Sequence, residues 1–348
     1  MLSRSSERVF GKENRTYLMG IATIAIALFH VWMWNNTSGV EESPWWIALF
    51  RRGYVGVDVF LFLSVYGLQA SIEKNSLTQF YLNRVKRLFP LYFLFLITLF
   101  ATFERNCPID RMVIQGVYQM TGLSLFQYPD FFSCGFCFDW FTPAIIAVYI
   151  FFPLASRILR FVHEKGLVTE CLVLIFLTVI GDWVYYRVHM PVRGLAFRLP
   201  LMMLGVLAYW YIRENKVQNL LTLMVLSTAI GFMSEDKMFV LTMFCPPLLA
   251  VYSLSTFTLP FEKFVKLVGR HSLEVYLAHI FVVAFFIPMH IVESVPLLVL
   301  ITIIESAVLA TIYSYLHQLF YRLFARYKVK TDLLHNLWRS HAKKIEKQ

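Results

Sequence analysis

Apolar runs long enough to cross a bilayer recur along the whole of this 348-residue chain. At ~1.5 Å of rise per residue, about 20 apolar residues span the ~30 Å hydrocarbon layer. Ten such runs lie at 16–34, 54–72, 88–104, 140–160, 168–186, 196–211, 217–234, 237–257, 272–290 and 296–321. With 58% hydrophobic and only 16% charged side chains, and a mean hydropathy of +0.60, the chain is not a water-soluble enzyme, a disordered segment or a fibre. The expectation is an all-α, polytopic membrane protein of about ten transmembrane helices, forming one integral membrane domain over residues 1–348. No internal repeat at a fixed period supports a duplicated transporter.

An even number of spans puts both termini on one side. If that side is the cytoplasm, 24 of the 32 Lys and Arg residues fall in inside segments and 8 in outside loops, the asymmetry the positive-inside rule describes. The basic excess therefore reads as topology in a cell or plasma membrane, not as nucleic-acid binding. Residues 1–15 become a cytoplasmic N-terminus. Residues 322–348 become a basic cytoplasmic tail, either an interfacial helix on anionic lipid or a simple stop-transfer flank. Trp32, Trp34, Trp45 and Trp46 flank the first outside loop, at headgroup depth. Met112–Phe126, in the longest outside stretch, is apolar enough to lie in the interface or dip into the protein. The basic N-terminal flank and first apolar run read as an uncleaved helix.

Titratable groups within spans are costly in lipid and mark the places to look for function. His30 lies ~21 Å from the inner boundary of the first span and Asp58 ~24 Å from that of the second, by helix rise. At one level on adjacent helices they are a candidate dyad, the carboxylate orienting the imidazole as a base; the alternative is two residues satisfied locally. Arg84 and Arg87, three apart in YLNRVKRLFPLYF, share a helix face and suit phosphate oxygens, although topology alone also places cations there. His279 and Glu274 lie in GRHSLEVYLAHIF, Glu305 stands alone in the tenth span, and Arg198 opens the sixth span, where it either attracts a polar acceptor or snorkels. Five cysteines are too few for a disulfide scaffold. Cys107, Cys134 and Cys137 face outside, where a disulfide can form, and no metal site is expected. There is no phosphate-binding glycine loop, G-x-S-x-G elbow or zinc-protease helix.

Several strings in order resemble the membrane-bound acyltransferase family 3. GIATIAIALFH resembles its opening helix, ending at His30. RRGYVGVDVFLFLSVYGLQAS resembles its second-helix signature, with Gly56, Val57, Asp58, Phe60 and Ser64. YLNRVKRLFPLY carries its paired arginines at Arg84 and Arg87, followed by Pro90. DWFTPAIIAVYIFFPL, FRLPLMMLGVLAYW and GRHSLEVYLAHIF resemble its fourth, sixth and ninth helix motifs. The chain departs at Met19, where the family has a basic residue eleven positions before the histidine; Arg15 stands one turn earlier. It departs also at Val65 and at Pro143 and Ala144.

The resemblance implies acyl transfer, most simply of acetyl, from a cytoplasmic acyl-CoA to a hydroxyl of a glycan or lipid-linked sugar. In that scheme His30, assisted by Asp58, takes the hydroxyl proton, and Arg84 and Arg87 hold the coenzyme A phosphates. Ser64, Arg198, Tyr276 and His279 are candidate substrate-contacting or supporting residues. The partners implied are the coenzyme A thioester, the sugar acceptor and membrane lipids. Direct transfer and an acyl-histidine route both remain open. Two other readings are a proton-coupled transporter or flippase of a lipid-linked saccharide, using the same titratable groups, and an inactive relative.

Overall fold

The computed structural model describes residues 11–37, 50–103, 107–126, 139–188, 192–234, 261–286 and 299–320, with isolated positions at 240, 242–243, 245–249, 297 and 322. All regular structure among them is helical, and seven helices are long and apolar enough to cross a membrane. The chain is an all-α polytopic membrane protein. We label the helices α1 (Lys12–Thr37), α2 (Val55–Lys74), α3 (Leu77–Phe103), α4 (Ile109–Thr121), α5 (Phe141–Glu164), α6 (Leu167–Arg187), α7 (Leu199–Arg213), α8 (Val217–Gly231), α9 (Glu262–Arg270), α10 (Ser272–Phe286) and α11 (Val299–Phe320). A 3-10 turn over Arg51–Tyr54 leads into α2, and a short helix over Val192–Ala196 leads towards α7.

Against ten expected spans, the described residues thus yield seven long ones, with α8 and the Ser272–Phe281 part of α10 as shorter apolar helices. The span expected at 237–257 is described only at scattered positions, and the tail beyond 322 lies outside the described residues. The third helix begins at Leu77, eleven residues before the apolar run that signals it. Its polar first turns, including Arg84 and Arg87, continue the hydrogen-bonded helix out of the hydrocarbon layer.

Side chains divide by exposure to the surroundings. Phe93 of α3, Phe151 and Phe161 of α5, Phe176 and Trp183 of α6 and Ile304 of α11 are exposed, as lipid-facing residues are, while Phe80 and Tyr92 of α3, Leu61 and Phe62 of α2 and Leu204 of α7 are fully enclosed. Two prolines interrupt helices, and neighbours meet carbonyls near each break. Pro90 cannot bond the Lys86 carbonyl, which His317 approaches at 3.5 Å; one turn before Pro153 the Tyr81 hydroxyl donates to the Ile150 carbonyl at 3.0 Å. In a medium without water, such replacement is what lets a proline sit within a span.

Helix α1 is gripped closely from two sides. A Cβ at Gly20 would collide with the Val265 carbonyl of α9, and one at Gly269 of α9 with the Thr16 carbonyl of α1. On the other side, a Cβ at Gly56 of α2 would stand 2.5 Å from the Ala22 carbonyl and 2.7 Å from Ile26 Cγ1. Backbone-to-backbone packing of this kind, through small residues, is how helices associate when lipid tails are as apolar as the side chains.

This packing predicts that Gly269→Ala destabilises the protein by about 1–3 kcal/mol or more, because backbone must move. Gly116→Ala, whose added Cβ meets only Phe100 at 3.6–3.7 Å, serves as the tolerated control. Thermal unfolding in detergent measures both, and an unchanged melting temperature for Gly269→Ala would contradict the packing.

Candidate active site

At the end of the bundle where α1 begins, a cavity of about 430 Å³ opens between α1, α2, α3, α5, α9 and α10. Arg15, Arg84, Arg87 and Arg270 line it, and no carboxylate does among its described lining residues. Arg84 and Arg87 share one face of α3 and enter the cavity together, as their spacing predicts. The Arg84 guanidinium lies 5.1 Å from the Phe80 ring centre and 5.9 Å from that of Tyr149, and its buried Nε has no hydrogen-bond partner. The Arg15 guanidinium lies 5.7 Å from Tyr66, and its Nε is likewise buried and unpartnered. Met19 also lines the cavity. Arg15, one turn before Met19 on the same helix, thus brings a basic group to the same cavity.

Carboxylates elsewhere at this end are already engaged. Glu73 accepts from Arg160, Arg213, Trp210 and Tyr209 at 2.7–3.1 Å. Glu214, just beyond α7, is partly desolvated, which works against its charge. Lys216 and His163 outweigh that and hold its carboxyl below the ordinary range. The positive charge around the cavity is thus left without internal neutralisation, the electrostatic condition for an anion site.

Higher in the bundle, α1 and α10 bring two histidines together. His30 Nδ1 lies 3.0 Å from His279 Nε2, and His279 Nδ1 lies 3.2 Å from the Val275 carbonyl. A carbonyl only accepts, so His279 carries its proton on Nδ1 and presents Nε2 as an acceptor. His30 then donates from Nδ1, which leaves its Nε2 lone pair free. Relayed hydrogen bonding has fixed the tautomer a general base needs. His30 is half-buried, whereas His279 is fully enclosed. Three residues before His279, Tyr276 packs its ring edge-on at 5.4 Å and also lines the cationic cavity, linking the two parts of the site. Ser64 lines the same cavity.

Asp58 does not join them. Its carboxylate is fully buried and ion-paired with Arg198 Nε, and its other oxygen accepts from the Thr242 hydroxyl at 3.1 Å. Helix geometry gives the reason. Gly56 must face α1 for the close approach, and a residue two positions on is rotated by about 200°, so Asp58 faces α7 instead. An estimate of depth from helix rise carries no information about rotation, which decides the partner here. Arg198, also buried, further donates to the Gly194 carbonyl at 2.5 Å and stacks over Phe197 at 4.2 Å. It neither snorkels nor offers itself to an acceptor. Glu274, similarly, is paired with His317 at 3.7 Å. Cys107 is disulfide-bonded, while Cys134 and Cys137 lie outside the described residues.

These features define a membrane-embedded site with a cationic vestibule at one end and an oriented histidine pair deeper in. Comparison with known proteins places it further: the profile of an acyltransferase domain family, acyltransferase 3, matches residues 16–317, and the chain belongs to that family. It is also similar to a protein of Acidianus two-tailed virus that carries the provisional name acetyltransferase ORF330. The two are 27% identical over 207 residues, which cover 57% of this chain and 57% of that relative. No solved structure matches.

If Asp58–Arg198 is a structural pair, Arg198→Ala should cost about 3–5 kcal/mol, because it strands a buried carboxylate. The double change Asp58→Leu/Arg198→Met should regain most of the lost melting temperature. A double variant as unstable as the single one would show that the pair does more than neutralise itself.

Proposed function

We propose that the protein transfers an acyl group, most simply acetyl, from acyl-CoA to a hydroxyl of a glycan or lipid-linked sugar. The observation that carries this reading is the cavity with four arginines and, among its described lining residues, no carboxylate, joined through Tyr276 to a histidine pair whose tautomer leaves one nitrogen basic. Arg84 and Arg87, with Arg15 beside them, would hold the donor's phosphates, as guanidinium forks do. From Arg15 to His30 is about 22 Å along α1 by helix rise. A small anion does not bridge that distance, whereas the extended pantetheine arm of a coenzyme A thioester does.

At the histidine pair, His30 Nε2 takes the acceptor hydroxyl's proton as its oxygen attacks the thioester carbonyl. The ester C–O bond forms, the C–S bond breaks, and the departing thiolate collects the proton from the imidazolium as coenzyme A. His279 stabilises that imidazolium by accepting its Nδ1–H, the part first assigned to Asp58. The membrane orientation that suits this scheme puts the arginine end in the cytoplasm, where 24 of 32 basic residues fall by the span reading.

Coenzyme A should bind the purified protein saturably and raise its melting temperature, and Arg84→Ala/Arg87→Ala should abolish both effects. Unchanged binding in the double variant would remove the arginines from the donor site. A flippase would ignore coenzyme A altogether. His30→Ala should eliminate acyl transfer while leaving a folded protein that still binds coenzyme A. His279→Phe, which removes only the orienting acceptor, should lower the transfer rate about 10–100-fold, the usual cost of losing a hydrogen bond that orients a reacting group.

A further inference from the structure

Helix α4 is built inside out. Its apolar residues Ile109, Val113, Ile114 and Val117 are 51–75% exposed, while Gln115 and Gln119, one turn apart on the same face, are 7% and 0% exposed. Lipid around the bundle explains the outward face. The inward face needs another explanation, because enclosing two amides is costly unless they are paired.

They are only partly paired. Gln119 accepts from the Tyr92 hydroxyl at 2.9 Å, yet its Nε2 has no partner, and neither has Gln115 Oε1. Turning the Gln119 amide over exchanges its nitrogen and oxygen without pairing both. Beside them stands Asp139, 4% exposed. One of its oxygens accepts from the Thr142 N–H, capping α5, and from the Tyr276 hydroxyl, both at 3.0 Å; the other oxygen is buried and makes no close hydrogen bond, with the Thr142 and Tyr92 hydroxyls beside it. Tyr92 lies against this carboxylate as well as against Gln119. The cluster is therefore fastened, through Tyr276, to the residue that packs on His279.

We infer that the inward face of α4, with Asp139, binds the hydroxyl-rich headgroup of a membrane-borne glycoside, the acceptor in the acyl transfer proposed above. The inference rests on that reading for the reaction and adds the site. A carboxylate oxygen accepts from a hydroxyl, and each amide supplies a donor and an acceptor, which together match neighbouring sugar hydroxyls that both donate and accept. Gln115, Gln119 and Asp139 offer these groups from outside the lining of the arginine cavity, with Asp139 held by the Tyr276 hydroxyl. The exposed apolar face of α4 lies where a hydrocarbon tail would remain in lipid.

The test uses the full chain in nanodiscs, with octyl β-glucoside as the glycoside probe. An octyl glycol ether of matched chain length is the tail-only control. The glucoside should raise the melting temperature and the ether should not. Asp139→Asn, which keeps an acceptor for the Thr142 N–H, and Gln119→Leu should each weaken glucoside protection at least about tenfold in midpoint concentration. Gln119→Leu should leave coenzyme A protection unchanged. Gln115→Leu should melt no lower than the parent protein, since it deletes an unpaired buried atom; a purely structural amide would melt lower. If coenzyme A protects and the glucoside does not, or if it protects Gln119→Leu equally well, the inference falls. If the glucoside protects and coenzyme A does not, the site stands and the donor reading falls.

Discussion

The contact on which the remaining geometry depends is the backbone-close seating of α1 between α2 and α9. Gly20, Gly56 and Gly269 remove the side chains that would hold these helices apart, and carbonyls fill the space. Because α1 carries Arg15 near its start and His30 some 15 residues later, its position fixes both ends of the site at once. Sliding it along α9 by one turn would move the histidine about 5 Å from His279 and the arginine from its cavity. Backbone packing resists such sliding better than interdigitated flexible side chains do, since a carbonyl cannot adopt another rotamer.

How much of this was legible beforehand depends on which coordinate is considered. Hydropathy and helix rise report depth, and they placed His30 in the outer half of its span and Arg84 with Arg87 on one helix face at the basic end. Rotation about a helix axis needs a second constraint. For Asp58 that constraint is Gly56, two residues earlier, whose small size marks the face turned to α1 and thereby turns Asp58 away. The signal was present, but reading it required treating the glycine as a contact and not only as part of a motif. His279 is a different case. It appeared as a lone histidine in an apolar helix because nothing local indicates which distant residue it meets. Gln115 and Gln119 passed unnoticed for a related reason: an apolar run with scattered amides resembles an interfacial helix until the inward face is known.

The dry interior sorts polar residues by whether their needs are met. Asp58 with Arg198 and Thr242 is a closed set, and outside the interior Glu73 is engaged by two arginines, a tyrosine and a tryptophan. Such sets stabilise or orient helices and have nothing left to offer a ligand. Among the described residues, open atoms on Arg15 and Arg84 lie in one place, and those on Gln115, Gln119 and Asp139 in another. Leaving buried hydrogen-bonding groups open costs on the order of 1–3 kcal/mol each. That cost is understandable where a bound molecule completes the set.

The two open sets differ in sign as well as in place. One is cationic and lies at the basic end; the other is a carboxylate with amides, the carboxylate held by the Tyr276 hydroxyl. A phosphate-bearing donor is attracted to the first and repelled by the second, whereas a neutral hydroxylated headgroup is held best by the second. In the proposed transfer, this difference in charge would favour donor and acceptor at different sites. Tyr276 lines the arginine cavity, donates its hydroxyl to Asp139 and packs against His279, so it connects both sets to the histidine pair. The histidine pair has its proton position set from within the protein by the Val275 carbonyl, so in the proposed transfer it is already oriented before either substrate arrives.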